Sequence, residues 1–184
     1  MRYPAEQTAA RHERILREAS KLFRERGLNG VSVPEIMKAA RLTHGPFYNH
    51  FASRDELVAE TVDCAMGAML QDLLSSRGSK ASRKQFLDAY LSPKHRDNPG
   101  EGCAVAALAS DVIRSPAAKV PFTRRFKDIV VATASKFTSA RGERAARAEA
   151  IRTISLIVGA LILSRAVDDD ELSEEILAQA RAGL

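Results

Sequence analysis

At 184 residues, 45% of them apolar, the chain carries enough hydrophobic side chain to build one or two compact units and is excluded from the disordered class. It has no tryptophan and only 5% aromatics, and Ala, Leu, Arg and Glu predominate, which favours helix over sheet. The formal charge is +5, with ten cationic against seven acidic side chains in residues 1–57, a balance that attracts polyanions without naming one. Cys64 and Cys103 stand far apart, so there is no disulfide framework or metal-ligand spacing, which fits a reducing compartment. Arg2 is followed by no apolar run, and the longest uncharged apolar stretch, 154–163, is too short to cross a bilayer. A cytoplasmic protein without a membrane partner is expected.

In residues 8–26, Ile15, Ala19, Leu22 and Phe23 recur at helical spacing among charges, and Gly27 supplies a stop. Ser32-Val33-Pro34-Glu35 has the form of a capping box with proline in the first turn, opening a short helix over 33–40. Thr43 caps a third, very short helix ending at Asn49. Ser53-Arg54-Asp55-Glu56 is a second capping box that opens a long helix over 54–75. The Ser/Gly-rich stretch 75–82 breaks it, and Phe86, Leu87, Tyr90 and Leu91 mark another helix. Residues 92–102 read as a loop by their prolines, glycines and charges. Helices are then expected over 103–113, 116–139, 143–166 and 169–182. No segment alternates as a strand does, so the fold class is all-α, about nine helices without repeats.

Short helices are unstable alone and must pack on one another. Val31, Ile36, Ala39, Leu42, Phe47 and Phe51 would join Leu22 and Phe23 in the core of a trihelical helix-turn-helix, with Ala40-Arg41-Leu42 as its turn. The third helix then presents Thr43, His44, Gly45, Pro46, Tyr48, Asn49 and His50, a face almost free of acid and suited to a nucleic-acid groove. Thr43 and the helix N-terminal amides suit phosphate, Gly45 permits close backbone approach, and Pro46 can touch a thymine methyl. His44 and Asn49 reach base edges or phosphates, while Tyr48 and His50 reach phosphate oxygens. Neither histidine has a Cys, Asp or Glu partner at ligand spacing, so metal binding and catalysis are disfavoured. Arg11, Arg14, Arg17 and Lys21 read mainly as a solvated face paired with Glu13 and Glu18.

With these residues in view, 15–57 resembles the DNA-binding region of the tetracycline-repressor-like (TetR/AcrR) family. The match runs Ile15…Ala19…Leu22-Phe23…Gly27, Ser32…Ile36…Ala39-Ala40…Leu42-Thr43…Gly45…Phe47-Tyr48…His50-Phe51…Ser53-Arg54-Asp55-Glu56-Leu57. Arg41 stands where the family usually carries glycine, and Arg54 where lysine is commoner. The resemblance implies a DNA-binding domain over 1–57, with Ser32 and Arg54 as flanking phosphate anchors, and a helical effector-binding and dimerisation domain over 58–184. It further implies a ligand-responsive repressor that reads a palindrome in double-stranded DNA as a homodimer, its fourth helix transmitting the effector signal.

For the second domain the expected dimer interface is Ile151, Ile154, Ile157, Val158, Leu161, Ile162, Leu172 and Ile176, an apolar arc wider than one intramolecular face needs. Gly159-Ala160 would permit close helix approach there. Met66, Met69, Phe86, Tyr90, Cys103, Phe122 and Phe126, with Phe137, are candidates for a pocket taking a small apolar or aromatic effector and no cofactor. Cys103 opens a helix and is either a reactive thiol sensing electrophiles or a small buried hydrophobe. Two further readings stand beside the regulator: a trihelical interaction protein without DNA binding, and a small enzyme. The enzyme is disfavoured because no paired carboxylates, activated nucleophile or phosphate loop appears.

Overall fold

The computed structural model describes residues 5–43, 45–75, 80–137 and 142–184. Among them the chain is all-helical: α1 (Ala5–Arg26), α2 (Val33–Ala39), α3 (Arg54–Ser75), α4 (Lys80–Tyr90), α5 (Pro93–Arg96), α6 (Ala104–Val112), α7 (Pro116–Ala134), α8 (Gly142–Ala166) and α9 (Asp170–Ala182). Two 3₁₀ turns, Gly45–Asn49 and Pro99–Glu101, complete the described elements.

The helix starts follow the side chains available to cap them. Ser32 Oγ accepts the Glu35 N–H at 3.4 Å and Glu35 Oε2 accepts the Ser32 N–H at 2.8 Å, a closed capping box at α2. At α3 Ser53 Oγ accepts the Glu56 N–H at 3.1 Å, but the Glu56 carboxylate reaches one residue further back, to the N–H of Ala52. The structure departs from the expected loop over 92–102. Ser92 Oγ accepts the His95 N–H at 3.2 Å with Pro93 in the first turn, so a Ser-Pro start opens α5. The far end of α5 is tied down by Arg165 of α8, whose guanidinium donates to the carbonyls of His95 and Arg96 at 2.9 Å each. The third helix is a single 3₁₀ turn rather than α, as five residues beginning Gly-Pro leave little room for bonds four residues apart. Lastly, α7 ends at Ala134, five residues short of the expected end.

Core packing positions everything else. The apolar stripe of α1 (Ile15, Leu16, Ala19, Phe23) meets Ile36 and Met37 of α2, Phe47 and Phe51 beyond it, and Leu57 and Val58 of α3. The same apolar cluster continues without a gap through Leu91, Leu108 and Ile129 to Leu161 of α8 and Leu177 of α9. The long α3 packs along both α1 and α7, and so belongs to the front and the back of the molecule at once. Its 22 residues span about 33 Å at roughly 1.5 Å per residue.

Gly27 ends α1 in the left-handed region, φ +78°, with its N–H on the Phe23 carbonyl at 2.8 Å. The next amide, Leu28 N–H, donates to Asp111 Oδ2 of α6 at 2.7 Å. Next to this, Arg24 donates from Nε (2.7 Å) and Nη2 to the Gly100 carbonyl, and from Nη1 to Ser20 Oγ at 2.7 Å. Residues 99–111 are therefore fastened to the end of α1.

Candidate nucleic-acid interface and the cavity behind it

The turn between α2 and the 3₁₀ segment is built around Arg41. Its N–H donates to the Lys38 carbonyl at 3.0 Å and that of Leu42 to the Met37 carbonyl at 2.9 Å, the paired bonds of a Schellman motif. This motif needs a left-handed residue, and Arg41 supplies it at φ +54°, alone among the described non-glycine residues. A glycine there escapes the Cβ–carbonyl conflict, which is the physical sense of the family's usual choice. Arg41→Gly is expected to raise stability by about 1 kcal/mol, and Tm by about 2–4 °C in a thermal melt. An unchanged or lower Tm would show that Arg41 carries no strain.

Beyond the turn, side chains divide sharply. Phe47, 2% exposed, and Phe51, 1% exposed, point into the core with ring centroids 5.5 Å apart. Tyr48, 71% exposed, stands outside against the edge of Phe47 at 5.2 Å, and Thr43, Gly45 and Asn49 are exposed beside it. A Cβ on Gly45 would meet nothing within 4 Å, so its surface is open. His44 and the Pro46 side chain lie outside the described residues. Ser32 is exposed, with its oxygen and amide already engaged by Glu35.

Two expected contacts are placed differently. Arg54 is half-buried, and one guanidinium nitrogen donates to the carbonyls of Leu28 and Val31, so it first braces the α1–α2 connection; its remaining donors are what a phosphate could use. His50 is half-buried against α1, its ring 6.0 Å from that of His12. Burial, then His12 and Arg11, hold its pKa below the ordinary histidine value, so at neutral pH it offers a hydrogen bond without a charge.

Sequence reasoning misses His12. It stacks on Phe51 at 4.6 Å and bonds Glu60 Oε2 of α3 at 2.8 Å, joining three elements beneath the exposed turn. Its position heads the stripe of Ile15, Leu16 and Ala19 at helical spacing, and that is the signal that could have found it. On the outer face of α1, Lys21 pairs with Glu101 at 3.5 Å rather than with Glu18.

Behind α1 a cavity of about 420 Å³ lies between α3, α4, α7 and α8. Met69, Phe86, Tyr90 and Cys103 of the expected pocket line it. Met66, Phe122, Phe126 and Phe137 do not. Met66 is closed into the core, Phe122 and Phe126 stack on each other at 5.9 Å nearer the N-terminal end of α7 than the lining Ile129 and Thr133, and Phe137 sits under Arg83. Ile154, Ile157 and Val158, expected at a dimer interface, line the cavity instead. Leu161 is fully buried because α8 turns its 150–154–157–161 face toward the core, and Ile176 of α9 is partly buried against the same cluster. The outward arc of α8 and α9 exposes Ile151, Ile162 and Leu172 together with Leu156 and Leu163, the last 56% exposed. A Cβ on Gly159, on the same helix, would meet nothing within 4 Å.

Cys103 is 5% exposed, caps α6 by accepting the Ala106 N–H, and lies 3.8 Å from Met69 Sδ. Its N–H donates to His95 Nε2 at 3.0 Å, so His95 carries its proton on Nδ1 and donates it to the Tyr90 carbonyl at 2.6 Å. Burial lowers the His95 pKa, in keeping with this neutral ring. No cluster of metal-ligating side chains occurs among the described residues, and no helix there is long and apolar enough to cross a membrane.

Residues 15–61 match the family of bacterial regulatory proteins described as the tetR family. A curated relative, the HTH-type transcriptional repressor KstR2 of Mycobacterium tuberculosis, is 33% identical over 96 residues, 50% of this chain and 48% of its own length. The chain thus spans about half the length of the curated relatives it matches. Among solved structures, the reduced form of E. coli NemR superposes with a TM-score of 0.78 at 19% identity, covering 95% of this chain and 94% of that one. A TetR transcriptional regulator from Legionella pneumophila gives 0.73 at 22% identity over the whole of both chains. At such identities these structures establish the fold.

Proposed function

We propose that this chain, a member of the tetR family of bacterial regulatory proteins, is a transcriptional repressor that grips double-stranded DNA as a homodimer and lets go when a small molecule binds behind the grip. The observation that carries the reading is the division of side chains on residues 43–51: Phe47 and Phe51 anchor the turn, leaving Thr43, Gly45, Tyr48 and Asn49 as an exposed surface without acid. A groove lined by phosphates accepts such a surface, and the exposed Arg41 adds a cation beside it.

Pairing through the outward apolar arc of α8 and α9 would relate two such turns by a two-fold axis. Successive major grooves about 34 Å apart would then be read as a palindrome. The arc supports this because Ile151, Leu156, Ile162 and Leu163 form more apolar surface than one exposed helix normally leaves in water. A ligand that tilts α3 would change the separation of the two turns, and a coupling of roughly 1–3 kcal/mol would weaken DNA binding about 5- to 150-fold.

Duplex selection followed by titration tests the assignment. Tyr48→Ala is expected to weaken every duplex about tenfold through lost phosphate contact, whereas Asn49→Ala also alters base preference, by roughly 1–3 kcal/mol at the affected position. Identical behaviour of the two variants across operator changes would refute that division of roles. The competing reading, an interaction protein that keeps the trihelical fold, requires binding to duplex DNA to be absent or flat with salt; steep salt dependence excludes it.

A further inference from the structure

The cavity behind α1 is walled mostly by hydrocarbon, including Met69, Leu73, Phe86, Ile129 and Ile154. Three buried hydroxyls lack a nitrogen or oxygen partner among the described residues, the Tyr90 phenol having only the weakly accepting Cys103 sulfur beside it. One, on Thr61, is in the closed core, and the other two, on Tyr90 and Thr153, belong to residues that line this cavity. Both residues are more than nine-tenths buried. Leaving a buried hydroxyl unpaired costs stability, and a phenol that only filled space could be a phenylalanine at no loss of shape. Burial pushes the Tyr90 pKa well above its ordinary value, so the phenol keeps its proton and can donate.

Charge narrows the ligand further. Among the groups at this cavity, Arg24 is engaged by the Gly100 carbonyl and Ser20, and His95 is fixed as a neutral ring between Tyr90 and Cys103. Asp72 and Glu101 add two carboxylates at the same cavity. Arg24 is the one cation lining the cavity among the described residues and its donors are already committed, so a negatively charged guest would find no ready counter-charge there. We propose that the cavity takes a neutral, largely hydrocarbon ligand bearing one hydroxyl or carbonyl oxygen, which pairs with Tyr90 and Thr153. This rests on the regulator reading for its biological meaning, though not for its chemistry.

Three probes on one ring system test it with the full-length protein and no DNA: 2-naphthol, naphthalene and 2-naphthoate, followed by thermal shift and calorimetric titration. The expected order is 2-naphthol about tenfold tighter than naphthalene, with 2-naphthoate weakest. Tyr90→Phe and Thr153→Val should each erode the advantage of 2-naphthol while leaving naphthalene affinity unchanged, which also reports that the variants are folded. Equal affinity for 2-naphthol and naphthalene, tightest binding of 2-naphthoate, no binding of any probe, or an undiminished 2-naphthol preference in both variants would overturn the proposal. Because no DNA is present, those failures leave the repressor reading standing. Conversely, the naphthol preference without duplex binding would remove the repressor reading alone.

Discussion

Gly27→Ala is expected to cost about 2–5 kcal/mol of stability, from two sources that act together. The backbone stands at φ +78°, where any L side chain brings its Cβ against a carbonyl oxygen at a cost of roughly 1–2 kcal/mol. The added Cβ would also lie 2.6 Å from Asp111 Oδ2, the oxygen that accepts the Leu28 N–H. Relieving that clash moves the carboxylate off the amide, and a buried amide losing its partner costs about 1–3 kcal/mol more. Urea denaturation measures the loss. Gly45→Ala is the control: its Cβ meets nothing within 4 Å and should leave stability within about 0.5 kcal/mol. Asp111→Ala and Gly27→Ala remove one shared contact, so their effects should fall short of additivity. A Gly27→Ala protein as stable as the parent would show that the α1 terminus relaxes freely.

Phe51→Ala should cost about 3–5 kcal/mol, as for buried phenylalanines generally. The ring lies between Phe47 and His12 and underlies the exposed turn, so its loss removes the support of Tyr48 and Asn49 as well as core volume. The expected record is a single cooperative melt shifted downward, with duplex affinity falling more than in Tyr48→Ala at equal folded fraction. A biphasic melt would contradict the gapless core that runs from Phe51 to Leu161.

Much of the front of the molecule is legible in sequence because its signals are local. Gly27, Ser32 with Glu35, and Ser53 with Glu56 mark helix ends through bonds spanning a few residues. Phe47 and Phe51, four apart, are assigned inward by their spacing alone. The back is less legible because its decisive contacts are distant. On α8 apolar side chains occur nearly all round, so periodicity does not tell the face of Ile154, Ile157 and Leu161 from that of Leu156 and Leu163. The packing of α6, α7 and α9 on α8 decides it. For Met66 and Met69 the difference is part of a helical turn. Arg54 reads as a charge for DNA, whereas a guanidinium near free carbonyls binds them first. The segment 92–102 looks like a loop through its prolines, yet Ser92-Pro93 is also a helix start, and Arg165, about seventy residues away, completes it.

The fastening of residues 99–111 to the end of α1 bears on interchangeability. A cut at residue 57 yields a fragment that contains every exposed residue of the 43–49 turn but leaves behind the carboxylate of Asp111, the carbonyl of Gly100 and the Glu101 partner of Lys21. Grafting that fragment onto the body of another protein of this fold would strip the Leu28 amide of its acceptor and leave the Arg24 guanidinium only Ser20. A working chimera must therefore import a second, non-contiguous piece, residues 99–111, and that piece also carries Cys103 at the cavity wall. The transferable unit is defined by which atoms complete α1, and it is discontinuous along the chain.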